Sequence, residues 1–146
     1  MDQTEPQSNQ LCEKLLRHSD RSGYAVHNAI RITDVRVGFA QGEILAAEQA
    51  FNPLNRVHGG ALAGLADTVA GYAVTSLGFQ CVTSDCLMTY LRPAPAGRLT
   101  CTAQVRKAGK KVCIVNTTIC DEDGTELAIG TFNFSILGEL VIREDS

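Results

Sequence analysis

The chain has 146 residues, a formal net charge of −3 and 45% apolar residues, the length of one domain that buries a core without disulfide or metal staples. Its acidic balance argues against a general phosphate-backbone binder, which carries a basic face or stripe, so no nucleic-acid partner is expected. The start MDQTEPQSNQ lacks the basic and apolar stretches of a signal peptide, and no run reaches the roughly 18 apolar residues of a membrane span, so a cytoplasmic protein with no membrane partner is expected.

The first ten residues are polar and contain Pro6, which predicts a loose arm. Leu11, Leu15 and Leu16 then recur at helical spacing in LCEKLLRHSD, predicting a short amphipathic helix. Beyond Gly23 the β-branched content of AIRITDVRVGFA predicts a strand, with a turn at Ala40-Gln41-Gly42 leading into GEILAAEQA as its hairpin partner. From Gly59 to Gly78 the run GGALAGLADTVAGYAVTSLG is apolar almost all round, which predicts a long helix enclosed by other structure. Its glycines and alanines permit close backbone approach, and Asp67 near its middle makes it a poor membrane span.

Four strand-like runs follow: CVTSDCLMTYLRP, RLTCTAQVRKAG, KKVCIVNTTICDEDG and TELAIGTFNFSILG. They are separated by the turn chemistry of PAPAG, AGK and DEDG, and the short links predict an antiparallel meander. The class is therefore α+β, one principal helix against one antiparallel sheet. The expected organisation is an arm and short helix over 1–22, the main domain over 23–140 and a tail over 141–146.

The six cysteines Cys12, Cys81, Cys86, Cys101, Cys113 and Cys120 show no CxxC pair and no histidines at metal-ligand spacing. They read as reduced thiols, packed as small apolar residues in strands. No metal and no redox cofactor is implied.

The stretch NRVHGGALAGLAD, Asn55 to Asp67, interrupts a small apolar run with groups that packing alone does not ask for. His58 falls just before the helix start, so the N–H groups of Gly59, Gly60 and the next residues are first-turn donors without intrahelical acceptors. With the helix dipole behind them they suit an oxyanion formed at an attacked carbonyl. A glycine pair alone more often serves a tight loop-to-helix turn, and a lone histidine there more often caps the helix. Asp67 lies among Leu62, Leu65, Ala66, Val69 and Ala70, where a carboxylate costs desolvation energy unless it is hydrogen-bonded. It reads equally as a structural carboxylate and as a nucleophile or general base on a thioester or ester carbonyl.

His58 and Asp67 are nine positions apart, which on one helix is about 13 Å along the axis and about half a turn around it. If both serve one carbonyl, the donors come from one subunit and the carboxylate from another, across a two-fold interface. A dimer with two composite sites is the expectation.

The run HGGALAGLAD, with the later SDCLMTYLRPAPAGRLTCTAQVRKAGKK, resembles the hotdog-fold acyl-CoA thioesterases, in particular their PaaI-like, phenylacetate-pathway branch. The similarity runs from about Val35 to Leu137. It implies a sheet wrapped around the long helix, hydrolysis of an aryl- or medium-chain acyl-CoA, and dimers that pair into homotetramers. Carried over by position, Gly59 supplies a backbone N–H to the thioester oxygen and Asp67 is the catalytic carboxylate from the facing subunit. Asn52 positions substrate or water, His58 orients its loop, and Thr83 stands where some relatives have a serine that holds the attacking water. Coenzyme A carries phosphates, so Arg92 and Arg98 around PAPAG and Lys107, Lys110 and Lys111 around AGKK become candidate contacts. Two other readings share the fold: a non-catalytic acyl-CoA sensor, and a hydratase or dehydratase for which only His18, His27 and His58 could serve as acid or base.

Overall fold

The computed structural model describes residues 4–142. In chain order it has α1 (Thr4–His18), α2 (Gly23–His27), β1 (Ile30–Arg36), β2 (Phe39–Ala46), α3 (Gly59–Thr75), β3 (Phe79–Tyr90), β4 (Gly97–Ala108), β5 (Val112–Cys120) and β6 (Glu126–Glu139). From Thr4 onward the expected loose arm is instead the first turns of α1, and residues 1–3 lie outside the described residues. Pro6 is the third helical residue, where a backbone N–H has no intrahelical acceptor to lose. Cys12 is buried, Leu15 and Leu16 pack on the core, and the helix lies against β1. A second short helix, α2, was not foreseen; Ser22 caps it, its Oγ accepting the Ala25 N–H at 3.5 Å. Of the expected tail, residues 143–146 lie outside the described residues.

The first hairpin turns at Val37-Gly38 rather than at Ala40-Gln41-Gly42. Arg36 pairs with Phe39, and Gly38 takes a positive φ of +73°, which glycine adopts without strain. Gly42 lies within β2 for a different reason: a Cβ there would meet Val69 Cγ2 at 2.7 Å, so its hydrogen lets α3 press onto the sheet.

The sheet has six strands in the order β1-β2-β4-β5-β6-β3, with every neighbouring pair antiparallel. Only β4, β5 and β6 form the expected meander. β3 pairs with β6 instead of β4, because Leu91–Ala96 crosses the end of the sheet. Six residues reach about 20 Å, enough for the three strand spacings of about 4.8 Å between β3 and β4. β3 is left as an edge strand.

α3 packs against all six strands. Leu62, Leu65, Ala66, Val69, Ala70, Ala73 and Val74 are buried along it, facing Phe132, Val115, Leu99 and Ile44 among the largest buried side chains of the sheet. The helix stops at Thr75, short of the expected Gly78, which takes a φ of +89° in the turn that follows. No helix of the described residues is long and apolar enough to cross a membrane.

Candidate active site

The start of α3 is more tightly bonded than its sequence suggests. His58 has extended backbone and caps the helix, its Nδ1 accepting the Gly60 N–H at 2.8 Å. The Ala61 and Leu62 N–H groups turn back onto the His58 carbonyl at 2.9 and 3.3 Å. Of the donors expected to be free, Gly60 and those after it are therefore spent. The Gly59 N–H alone among them has no hydrogen-bond partner in the described residues. Because His58 Nδ1 accepts, a neutral imidazole carries its proton on Nε2.

Both glycines stand against close neighbours. A Cβ on Gly60 would come within 3.0 Å of His58 Nδ1, and one on Gly59 within 3.3 Å of Tyr90 Cζ. The Tyr90 hydroxyl donates to the Gly59 carbonyl at 3.0 Å. Tyr90 closes β3 and read in the sequence only as an aromatic strand residue; nothing there marked it as touching the glycine pair.

The loop before α3 is organised by Asn52. Its Oδ1 accepts the N–H groups of Leu54 at 2.9 Å and Arg56 at 3.1 Å, an Asx turn that ends in Asn55 at a φ of +57°. The carbonyl of the Asn52 side chain is thus committed to its own loop, leaving the amide NH2 as the group it can offer a ligand. Asn52, Arg56, Gly59, Tyr90 and Arg92 border a cleft of about 470 Å³. Arg56 was not among the expected basic contacts, whereas Arg92 was and is also bonded to the Glu126 carbonyl at 2.5 Å.

Asp67 opens onto another cleft, of about 430 Å³, walled by Leu15, Gly71, Tyr72, Val82 and Phe134. The carboxylate is half-buried, and the Thr83 hydroxyl of β3 donates to its Oδ1 at 2.6 Å. That bond answers the desolvation cost that made Asp67 conspicuous. Cys81 shares this cleft, but burial, aided by Cys113 and Asp67, pushes its thiol up to about 11, so it is no thiolate at neutral pH. Burial raises the Tyr72 phenol as well, with Asp20 adding to it.

Gly59 and Asp67 are eight residues apart on α3, about 12 Å along the axis, and within one chain they face different clefts. The remaining basic candidates are dispersed. Arg98 opens β4 and pairs with Glu43 at 3.5 Å. Lys110 and Lys111 are exposed at the β4–β5 turn, where Lys110 borders a third cleft with Phe79 and Ile136. Lys107 is exposed near the same end of β4. That strand, 12 residues long, separates Arg98 from Lys110 by about 37 Å. The cysteines depart from expectation in two places: Cys12 is helical and Cys86 is exposed. Among the described residues no group of three or more His, Cys, Asp or Glu side chains is placed to hold a metal.

An unspent amide at Gly59 and a hydroxyl-supported carboxylate at Asp67 thus stand on the same sheet-wrapped helix. The chain belongs to the thioesterase superfamily, whose model matches residues 54–128. The acyl-coenzyme A thioesterase PaaI of Escherichia coli K12 is 38% identical over 101 residues, 68% of this chain and 72% of PaaI. The structure of the E. coli PaaI protein from the phenylacetic acid degradation operon matches with a TM-score of 0.83 at 31% identity, covering 90% of this chain and 99% of that one. A conserved protein of Pseudomonas aeruginosa matches with a TM-score of 0.76 at 28% identity, covering 80% and 94%. This chain is a PaaI-like member of the family with the hotdog fold, and its reaction class is thioester hydrolysis.

Proposed function

We propose that the chain hydrolyses aryl- or medium-chain acyl-coenzyme A to the free acid and coenzyme A, in the cytoplasm, as a homodimer with two composite sites that pairs further into a homotetramer. The observation that carries this reading is the division of labour along α3: the unspent Gly59 N–H faces one cleft and the Thr83-bonded Asp67 faces another. Neither half completes a reaction alone, and a second copy supplies what each lacks.

The Gly59 N–H of one subunit donates to the thioester oxygen, and the charge that grows there in the transition state strengthens the bond. Thr83 holds Oδ1 of the facing Asp67, leaving Oδ2 to take a proton from water. The water oxygen bonds to the carbonyl carbon, the C–S bond breaks, and the departing thiolate receives the proton from the carboxyl. The scheme asks for no cofactor; coenzyme A belongs to the substrate. The apolar walls at Leu15, Val82 and Phe134 suit an uncharged acyl group, and Arg56 and Arg92 beside Gly59 suit the phosphates.

β3 offers the means of pairing. It is a 12-residue edge strand that no described element of its own chain pairs with on its outer side, and Leu87 within it is 71% exposed. Such an edge invites a partner strand. Thr83 pairs with Phe134 and Tyr90 with Ala128, so six ladder steps separate them and Leu87 is the midpoint. An antiparallel pairing of β3 with its copy about Leu87 sets Thr83 opposite the copy's Tyr90, and so brings an Asp67 half to a Gly59 half.

Thioester loss followed by ultraviolet absorbance over aryl and aliphatic acyl-CoAs tests the reaction without thiol dyes. Wild type should turn over and Asp67→Asn should retain the fold but lose about a thousandfold in kcat, within the range general-base removal costs. Binding of acyl-CoA without hydrolysis by the wild type would replace catalysis with sensing. Single turnover in ¹⁸O-water should leave Asp67 unlabelled; label in its carboxylate would make it the nucleophile. For the interface, Leu87→Cys in a Cys86→Ser background should form an intermolecular disulfide on oxidation, and none would form if β3 pairs in another register.

A further inference from the structure

We propose that Tyr90 is a positioning residue of this reaction, anchoring Gly59, the residue that carries the oxyanion donor, through its carbonyl; this rests on the reading of Gly59 given above. The Gly59 carbonyl and the Gly60 N–H are the two ends of a single planar peptide unit. Tyr90 donates to that carbonyl at 3.0 Å and His58 Nδ1 accepts from that N–H at 2.8 Å. The unit is gripped at both ends by side chains from different elements, one at the last residue of β3 and one at the cap of α3. This unit begins at the Gly59 Cα, which also carries the Gly59 nitrogen, so a shift of the unit displaces the one donor left to meet the thioester oxygen. A shift of about 1 Å in a catalytic group costs up to about a hundredfold in rate, so the grip has kinetic value.

The surroundings are built for it. The Tyr90 ring lies against the bare Cα of Gly59, where even a methyl group would come within 3.3 to 3.6 Å of two ring carbons and the hydroxyl oxygen. Burial, with Cys86 adding to it, raises the Tyr90 phenol above its ordinary value, so it remains a donor across neutral pH. The helix start needs no second bond on the Gly59 carbonyl, which is free to accept within α3 as any first-turn carbonyl is. The hydroxyl of Tyr90 is therefore an addition to helix formation, and what it fixes is the place of Gly59.

Tyr90→Phe keeps the ring and removes only the hydroxyl. In the assembled enzyme, kcat should fall about tenfold with KM within twofold and Tm unchanged to within about 2 °C. Equal kcat in the two proteins, or parallel losses in kcat, KM and Tm, would overturn the assignment. His58→Ala frees the other end of the same peptide, so the double variant should lose clearly less than the product of the two single losses, because neighbours acting on one group are not additive. A strictly multiplicative loss would also overturn it. The infrared carbonyl stretch of an acyl-CoA bound to Asp67→Asn should be lowered relative to solution and should recover partly on adding Tyr90→Phe. A lowered stretch that Tyr90→Phe leaves untouched refutes the role of Tyr90 alone, whereas a stretch never lowered refutes the oxyanion role of Gly59.

Discussion

The two halves of α3 teach different lessons about how a helix can present chemistry. At its start, His58, Gly60 and Tyr90 surround Gly59 with bonds on both sides, and the result is one unspent amide in a fixed place. In its middle, the Asp67 carboxylate has one hydrogen bond among the described residues, from Thr83, and borders a largely apolar cleft. On the proposed mechanism the first region works by rigidity, since a donor that must meet developing charge gains from costing no reorganisation. The second, on the same mechanism, accepts and releases a proton, and so keeps one oxygen uncommitted. Substitutions in the two regions should consequently differ in size and in kind.

The largest effect belongs to the middle. Asp67→Asn, with its expected loss of about a thousandfold, removes the proton acceptor outright, and a near-normal kcat would end the division between halves. Gly59→Ala should cost about a hundredfold in kcat, comparable to removal of one oxyanion donor, because its new methyl meets Tyr90 and displaces the amide; steady-state kinetics on the preferred thioester would measure it. Thr83→Val should cost about tenfold, leaving the carboxylate in place but less firmly oriented. A Thr83→Ser variant that recovers most of that loss would show the hydroxyl to be the active part. Smallest is Cys81→Ala, which should leave kcat within twofold even though Cys81 lines the Asp67 cleft. Since the Cys81 thiol is raised to about 11, its alkylation should speed up about tenfold per pH unit from neutrality towards that value, following the thiolate fraction. Rapid alkylation at neutral pH would mean a thiolate beside Asp67 and would blur the contrast.

Much of this molecule was legible in its sequence where a residue type was out of place. A carboxylate and a histidine-glycine pair in an apolar run demanded reasons, and α3 indeed begins at Gly59 and carries Asp67 half-buried. Strand boundaries after α3 followed from turn chemistry, as at Asp121, whose Oδ1 accepts the N–H groups of Asp123 and Thr125. What was not legible depends on distant partners. Gly42 read as a turn because its need for bare space comes from Val69, on another element. β3 read as the neighbour of β4 because a short link says nothing about crossing the sheet end. Pro6 suggested a break, yet early helix positions tolerate it. Tyr90 entered the family resemblance without any sign of its contact with Gly59, since its hydroxyl meets that carbonyl only once β3 lies beside the start of α3.

Thr83 and Tyr90 are seven positions apart, which in a regular strand would turn them to opposite faces. They share a face because the pairing of β3 with β6 skips Ser84, a bulge that absorbs one residue. Evolution and engineering therefore meet a further constraint along this strand. Chain length between the two props is fixed as firmly as their identity. Excising Ser84 would leave every functional residue of the site present while throwing Thr83 and Tyr90 out of phase, an inactivation that inspection of residue identities would miss.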